Sequence, residues 1–232
     1  VQEADDKIPV LAGAGGYDTK SVVALAQDMV RAGVDGILSV APYYNKPSPE
    51  GIYQHFCTVA ENLDCPVMVY NVPSRTGVNI DPETLRRLAT LPNIVGIKEA
   101  SGNLGQISQI CSDASETFSV LSGDDEYTLP MMAVGGLGVI SVVSNEAPSE
   151  MSALVNAALE DDFATALSIH KRLLPLMQAN FVESNPIPVK AALAEMGLLA
   201  ARYRLPLVAP EEHNRQRIAD VLQDLGFLGD ES

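Results

Sequence analysis

Short runs in which nearly every residue is apolar recur along the chain: 8–12 (IPVLA), 36–40 (GILSV), 67–70 (VMVY), 94–98 (IVGIK), 119–121 (SVL) and 138–142 (GVISV). Their starts lie 19 to 31 residues apart. A strand with one wet face alternates apolar and polar side chains. A run that is apolar at successive positions fits a strand buried on both faces, the usual state in a parallel sheet. Between the runs lie longer segments of helical pattern, and each carries a start signal. Asp18-Thr19 precedes a predicted helix at 20–32, closed by Gly33. Ser48-Pro49-Glu50 precedes 51–63, Asp81-Pro82-Glu83 precedes 84–89, Asn103 precedes 104–111, and Asp124-Asp125 precedes 126–134. A short polar side chain satisfies the first free N–H groups of a helix, and proline at its first position gives up no hydrogen bond. Repetition of β-α units predicts an α/β fold with a parallel sheet and right-handed crossovers.

Beyond residue 145 the strand-like runs stop. Segments 148–160, 162–181, 188–196 and 211–225 read as helices, separated by polar or proline-containing joints. The pattern therefore divides into a β/α portion, 1–145, whose six units could form an open doubly wound sheet or most of a barrel, and a C-terminal helical region, 146–232. The first seven residues read as the tail of a helix already under way.

Composition narrows the possible partners. Of 232 residues, 47% are hydrophobic and 19% charged, an ordinary globular balance. Fifteen basic against 30 acidic residues give a net charge of −15, which repels nucleic-acid backbones and anionic membranes and argues against both as partners. No apolar run reaches the roughly 18 residues of a membrane helix. Cys57, Cys65 and Cys111 show no metal-ligand spacing, and a cytoplasmic setting is expected.

Chemistry in parallel α/β proteins gathers where strands end. The glycine-rich 12–16 (AGAGG) after the first run lacks the spacing of a dinucleotide or Walker loop. Lys98 closes the run 94–98. A partly desolvated amine there loses its charge more readily and becomes a nucleophile able to form a Schiff base, although a lysine at a strand end also reads as a partner of Glu99 or an aspartate. Tyr70 closes the preceding run, so adjacent parallel strands would set it beside Lys98, either relaying protons or simply packing. Arg75, five residues on, either clamps a carboxylate or is a solvated loop residue. Tyr43 and Tyr44, between Pro42 and Pro47, read as a site wall or an interface. His55, His170 and His213 have no ligand-spaced partner and read as surface or packing residues. Asp124-Asp125 reads as a helix start before it reads as a metal site, and Met131-Met132 as core.

Taken together, PYYN at 42–45, YNVPSRTG at 70–77, GIKEASGN at 96–103, LSGDD at 121–125 and NPIPVK at 185–190 resemble the dihydrodipicolinate synthase family. This is a class I aldolase-like group that also includes N-acetylneuraminate lyase. The resemblance runs in order over nearly the whole chain. It implies a (β/α)8 TIM barrel with extra C-terminal helices, usually in a dimeric or tetrameric homo-oligomer. It also implies condensation of pyruvate with L-aspartate 4-semialdehyde in lysine and diaminopimelate biosynthesis, with no cofactor beyond the imine that Lys98 forms with pyruvate, and with no metal. Tyr70 corresponds to the proton-shuttling tyrosine and Tyr44 to the tyrosine that crosses into a partner's site. Arg75 corresponds to the residue holding the semialdehyde carboxylate. Ile140 corresponds to the strand-end position whose carbonyl faces the substrate, and Gly123 lies nearby. Ser21 stands where lysine-inhibited members carry a glutamate, which implies weak or absent inhibition by lysine. Family members begin with two more β-α units, about 60 residues at barrel spacing, of which the second carries a Gly-Thr-Thr-Gly-Glu motif. That motif does not occur in the 232 residues, so strands three to eight are expected here and strands one and two are expected to be absent. An impaired family member, N-acetylneuraminate lyase or a 2-keto-3-deoxy-acid aldolase is the alternative reading.

Overall fold

The computed structural model describes residues 1–5 and 7–228. Among these the apolar runs become six parallel strands: β1 (Leu11–Gly13), β2 (Gly36–Val40), β3 (Val67–Asn71), β4 (Ile94–Glu99), β5 (Ser119–Ser122) and β6 (Gly138–Val139). Their order across the sheet is their order in the chain. A doubly wound sheet reverses its order at a switch point. Here there is no reversal, so successive right-handed crossovers fall on one face. The helices agree: α1 (Thr19–Arg31), α2 (Pro49–Glu61), α4 (Pro82–Leu88) and α5 (Leu104–Asp113) pack in that sequence.

The chain forms two compact units that interleave in sequence. The first is Val1–Gly123 with Ala133–Val139, and the second is Asp124–Met132 with the chain from Ile140 onward. The first unit holds the sheet and these four helices. Its helix starts are capped where the sequence places the signals. Asp18 accepts from the Ser21 N–H at 2.9 Å, Asp81 from Thr84 at 2.9 Å, Ser48 from Gly51 at 3.2 Å and Asn103 from Gln106 at 3.2 Å. One face of the sheet is fully buried and carries Ile37, Val69, Ile97 and Val120. The other face presents the half-buried side chains of Val40, Tyr70, Lys98 and Leu121 in one row, because these are successive cross-strand partners, with Gly138 next in line.

Three expectations shift. The first strand begins at Leu11, not Ile8, because its partner β2 begins at Gly36 and the Val10 N–H is taken by the Asp35 carboxylate at 2.7 Å. Ile8 is 65% exposed. The last strand ends at Val139, since the N–H groups of Val142 and Val143 turn to the Asp125 carboxylate at 2.9 and 3.1 Å. The expected helix tail at the start is a series of turns over residues 2–5, and Asp6 lies outside the described residues. A short helix, α3 (Pro73–Thr76), was not expected.

The second unit is helical: most of α6 (Thr128–Ala133), then α7 (Pro148–Leu159), α8 (Phe163–Ala179), α9 (Ile187–Glu195) and α10 (Glu212–Asp224). Leu129, Met132, Ala158 and Ala166 form one apolar cluster in it, and Met131 is fully buried. Two carboxyls are buried in this unit. Asp125 anchors the chain after β6, and Glu146 accepts from Asn180 Nδ2 at 2.6 Å. Burial pushes the Glu146 carboxyl up to about 8. The Asn180 hydrogen bond opposes the shift and the Asp125 charge adds to it.

Two consequences can be measured. A Cβ at Gly96 would strike the Ser119 carbonyl oxygen and lie 3.1 Å from Ser119 Cβ. Gly96→Ala should therefore cost about 1–3 kcal/mol of stability, seen as a lower urea midpoint at unchanged slope. An unmoved midpoint would show that the strands part freely. Glu146 keeps a proton in the folded state that the unfolded chain releases from about 4.5 upward. Its contribution is full below that value and is lost as the pH rises toward about 8. Glu146→Gln should remove this loss, so the variant gains on the parent across the interval in denaturant titrations. A stability difference that stays constant with pH would contradict it.

Candidate functional site

The half-buried row of the sheet supplies the site. In a strand, side chains alternate between faces. Lys98 therefore points away from its neighbours Ile97 and Glu99 and toward the same side as Tyr70, its cross-strand partner. Lys98 Nζ lies 4.3 Å from the centroid of the Tyr70 ring, within the range of a cation–π contact. The reading of Lys98 as a partner of Glu99 is not what forms. The Glu99 oxygens accept instead from the Ser101 N–H at 2.6 Å and Asn71 Nδ2 at 2.9 Å.

Space around the lysine depends on Gly123. A Cβ there would sit 3.0 Å from both Lys98 Cγ and Lys98 Cε, and 2.9 Å from Ala100 Cβ. The Gly123 N–H donates to the Glu99 carbonyl at 2.8 Å, so the β5 exit is tied to the β4 exit beside Lys98.

Tyr70 also lines a cavity of about 360 Å³, together with Gly13, Leu38, Val40, Tyr43 and Arg75. Arg75 sits in α3, whose end is set by Gly77 in a left-handed conformation (φ 75°). The buried Thr76 hydroxyl stiffens this turn by donating to the Val78 carbonyl at 2.9 Å. One wall thus presents a phenol and another a guanidinium, with largely apolar surface between them. That suits a small molecule bearing one carboxylate.

The tyrosine pair splits. Tyr43 lines the cavity and meets Tyr17 edge-on at 5.9 Å. Tyr44 is 87% exposed, outside the lining, with its backbone in the left-handed region (φ 71°). A non-glycine residue held there is uncommon and carries strain. Ile140 follows β6 directly in the chain and is half-buried in the second unit.

Other sequence candidates take structural places. His55 is buried, its Nδ1 is 2.9 Å from the Thr19 hydroxyl, and burial drives its imidazole down to about 4. His170 is half-buried and His213 is exposed. Asp124 accepts from the Glu126 N–H in the turn before α6, which begins at Thr128 and not at the expected residue 126. Asp125, read as part of the same signal, instead braces the segment after β6. Among the described residues no group of three or more His, Cys, Asp or Glu side chains could hold a metal ion, and no helix is long and apolar enough to cross a membrane.

Sequence reasoning missed two contributors. The glycine-rich loop after β1 is a cavity wall: Gly13 and Gly15 line it, and a Cβ on Gly15 would collide with the Val40 side chain. The signal was present as glycine at a strand exit, where another backbone approaches closely. The buried Asn71–Glu99 pair left no such signal, since polar residues at a strand end read as solvated.

The dihydrodipicolinate synthetase family model matches residues 1–225. The chain is 50% identical over 223 residues to 4-hydroxy-tetrahydrodipicolinate synthase of Koribacter versatilis, covering 96% of this chain and 74% of that protein. It is 49% identical over 222 residues to the synthase of Archaeoglobus fulgidus, covering 96% and 77%. Among solved structures it superposes on dihydrodipicolinate synthase from Aquifex aeolicus with a TM-score of 0.96 at 44% identity, covering 99% of this chain and 79% of that one. The Thermotoga maritima enzyme gives 0.96 at 45% identity, covering 98% and 78%. The expectation that an N-terminal stretch is lacking finds no support in these comparisons, which establish only the shares covered. The chain belongs to the dihydrodipicolinate synthetase family.

Proposed function

We propose that this protein condenses pyruvate with L-aspartate 4-semialdehyde to 4-hydroxy-tetrahydrodipicolinate through an imine on Lys98. The observation that carries the reading is the Lys98–Tyr70 pair, 4.3 Å from nitrogen to ring centre, with Tyr70 in turn lining the cavity that Arg75 lines. Relatives about half identical to this chain carry that enzyme's name.

The Lys98 amine adds to the pyruvate keto carbon and water leaves, giving an imine. Protonated, the imine withdraws electrons, so the methyl carbon gives up a proton and becomes an enamine carbon nucleophile. That carbon attacks the semialdehyde's aldehyde carbon, and the aldehyde oxygen takes a proton to become the hydroxyl. The semialdehyde's own amine then displaces Lys98 from the former keto carbon, closing the ring and freeing the enzyme. One water is lost overall. The imine nitrogen is the electron sink, so the reading includes no cofactor and no metal.

Tyr70 is placed to pass protons at the imine. Arg75 holds the semialdehyde carboxylate. Gly123 and the Ile140 carbonyl border the pyruvate unit in this reading. Tyr44 completes a proton path in a neighbouring protomer of a homo-oligomer. Its exposure and left-handed backbone support that role, because a strained, outward tyrosine suits a partner's site more than its own core. A (β/α)8 barrel to which the six strands belong is part of the same inference, supported by a strand order without reversal. Weak inhibition by lysine also belongs to it: Ser21, whose hydroxyl donates to Asp18, offers an effector ammonium no carboxylate of its own. A guanidinium favours a small amino-acid aldehyde over the polyhydroxylated chain of a sugar acid.

Borohydride reduction with pyruvate should leave a pyruvyl adduct on Lys98, found by peptide mass spectrometry. Lys98→Ala should lose both adduct and turnover, and a Lys98→Ala protein with full turnover would overturn the mechanism. Arg75→Ala should forfeit about 1.5–3 kcal/mol of charged hydrogen bonding, roughly a 10- to 150-fold loss in kcat/KM for the semialdehyde, with pyruvate trapping unchanged. Equal losses toward both substrates would remove Arg75 from this role.

A further inference from the structure

We infer that Asn71 and Glu99 form a buried clasp that holds Tyr70 against Lys98 and closes the loop carrying Arg75, which makes them positioning residues. The inference rests on the function proposed above.

Both residues are 0% exposed and directly opposite each other in the β3–β4 ladder, one step beyond Tyr70 and Lys98. Their side chains lie on the opposite face from the site, so neither serves as an acid or base toward the imine. What they do is join four segments. Asn71 Nδ2 donates to Glu99 Oε2 at 2.9 Å and to Asn79 Oδ1 at 2.9 Å. Asn71 Oδ1 accepts from the Ile80 N–H at 3.0 Å. Glu99 Oε1 accepts from the Ser101 N–H at 2.6 Å, and Asn79 Nδ2 donates to Gln106 Oε1 at 2.8 Å. Asn71 thus fastens the start of the Arg75 loop to its end at 79–80, and Glu99 fastens both to the turn that enters α5.

A buried carboxyl is an expensive way to hold strands together. Burial pushes Glu99 up, while hydrogen bonds from Ser101 and Asn71 hold it down. Two apolar residues would stabilise the same contact at lower cost. Apolar packing fixes volume, whereas a fully satisfied polar network fixes direction. Direction matters here because Tyr70 and Lys98 each share a peptide bond with a clasp residue, and a misplacement of about 1 Å at a reacting group can cost on the order of 100-fold in rate.

The test is a reciprocal exchange in the full chain. Glu99→Gln puts an amide donor against another donor, and Asn71→Asp sets two carboxyls side by side. The double variant N71D/E99Q restores one donor facing one acceptor. Each single variant should lose at least about tenfold in kcat while still unfolding cooperatively, and the double variant should recover most of that loss. A purely structural role would lower the melting temperature and leave kcat of the folded enzyme in place. Asn79→Ala, at an exposed position where folding is not at stake, removes one Asn71 bond. It should raise KM for the semialdehyde several-fold with the rate of pyruvate trapping on Lys98 unchanged. Single variants with parental kcat, no rescue by the double variant, or an Asn79→Ala enzyme with parental KM would overturn the clasp. A parent enzyme that traps no pyruvate on Lys98 would overturn the function reading, and the clasp's role with it.

Discussion

The parallel ladder from β2 to β6 is the constraint from which the rest follows. Its hydrogen bonds fix register, and register decides which side chains stand level with one another. One row runs Val40, Tyr70, Lys98, Leu121, Gly138, and the next runs Asn71, Glu99, Ser122, Val139. A slip of a single residue in any strand would exchange these rows between faces, sending the lysine into the core and the glutamate into the cavity. Chemistry and scaffold are thus separated by one residue of phase.

That separation explains how charge is distributed. The sequence is strongly acidic, yet among the described residues three carboxyls are fully or almost fully buried: Glu99 in the first unit, and Asp125 and Glu146 in the second. Each meets specific donors. Glu99 takes a backbone and a side-chain N–H, Asp125 takes two successive backbone N–H groups after β6, and Glu146 takes the Asn180 amide. Glu99 closes β4 and Asp125 follows β5, where backbone groups leave the ladder and need other partners. These two carboxyls take up backbone N–H groups where the chain changes direction, whereas Glu146 pairs with a side chain.

The same view shows what the sequence made legible. The central strands could be placed to within a residue because nearly every position is apolar, the pattern of a strand covered on both faces. The capped helices could be placed because Asp, Ser and Asn before them have a specific electronic task. The two edge strands could not. Ile8 is as apolar as any core residue, but β2 offers it no partner, and Val142 is lost to Asp125, a residue 17 positions away. The places of Lys98, Tyr70 and Arg75 at and just after strand ends were legible. Tyr44 was legible as one of a pair that reads as a site wall or an interface, but nothing in its immediate sequence announces a left-handed backbone. Asn71 and Glu99 were invisible because a network is a property of four segments, and each segment alone looks like an ordinary polar loop edge.

Gly123 carries a consequence for anyone reshaping the substrate range. The space beside Lys98 is bounded on that side by backbone, with Ala100 and the lysine stem already within 3.0 Å of where a methyl would be. No substitution at this position can widen the space beside Lys98, and every side chain narrows it. Leu38, Val40 and Tyr43 line the cavity with Tyr70, and smaller residues there would enlarge it. Gly123 can thus only close space, whereas those three positions can open it.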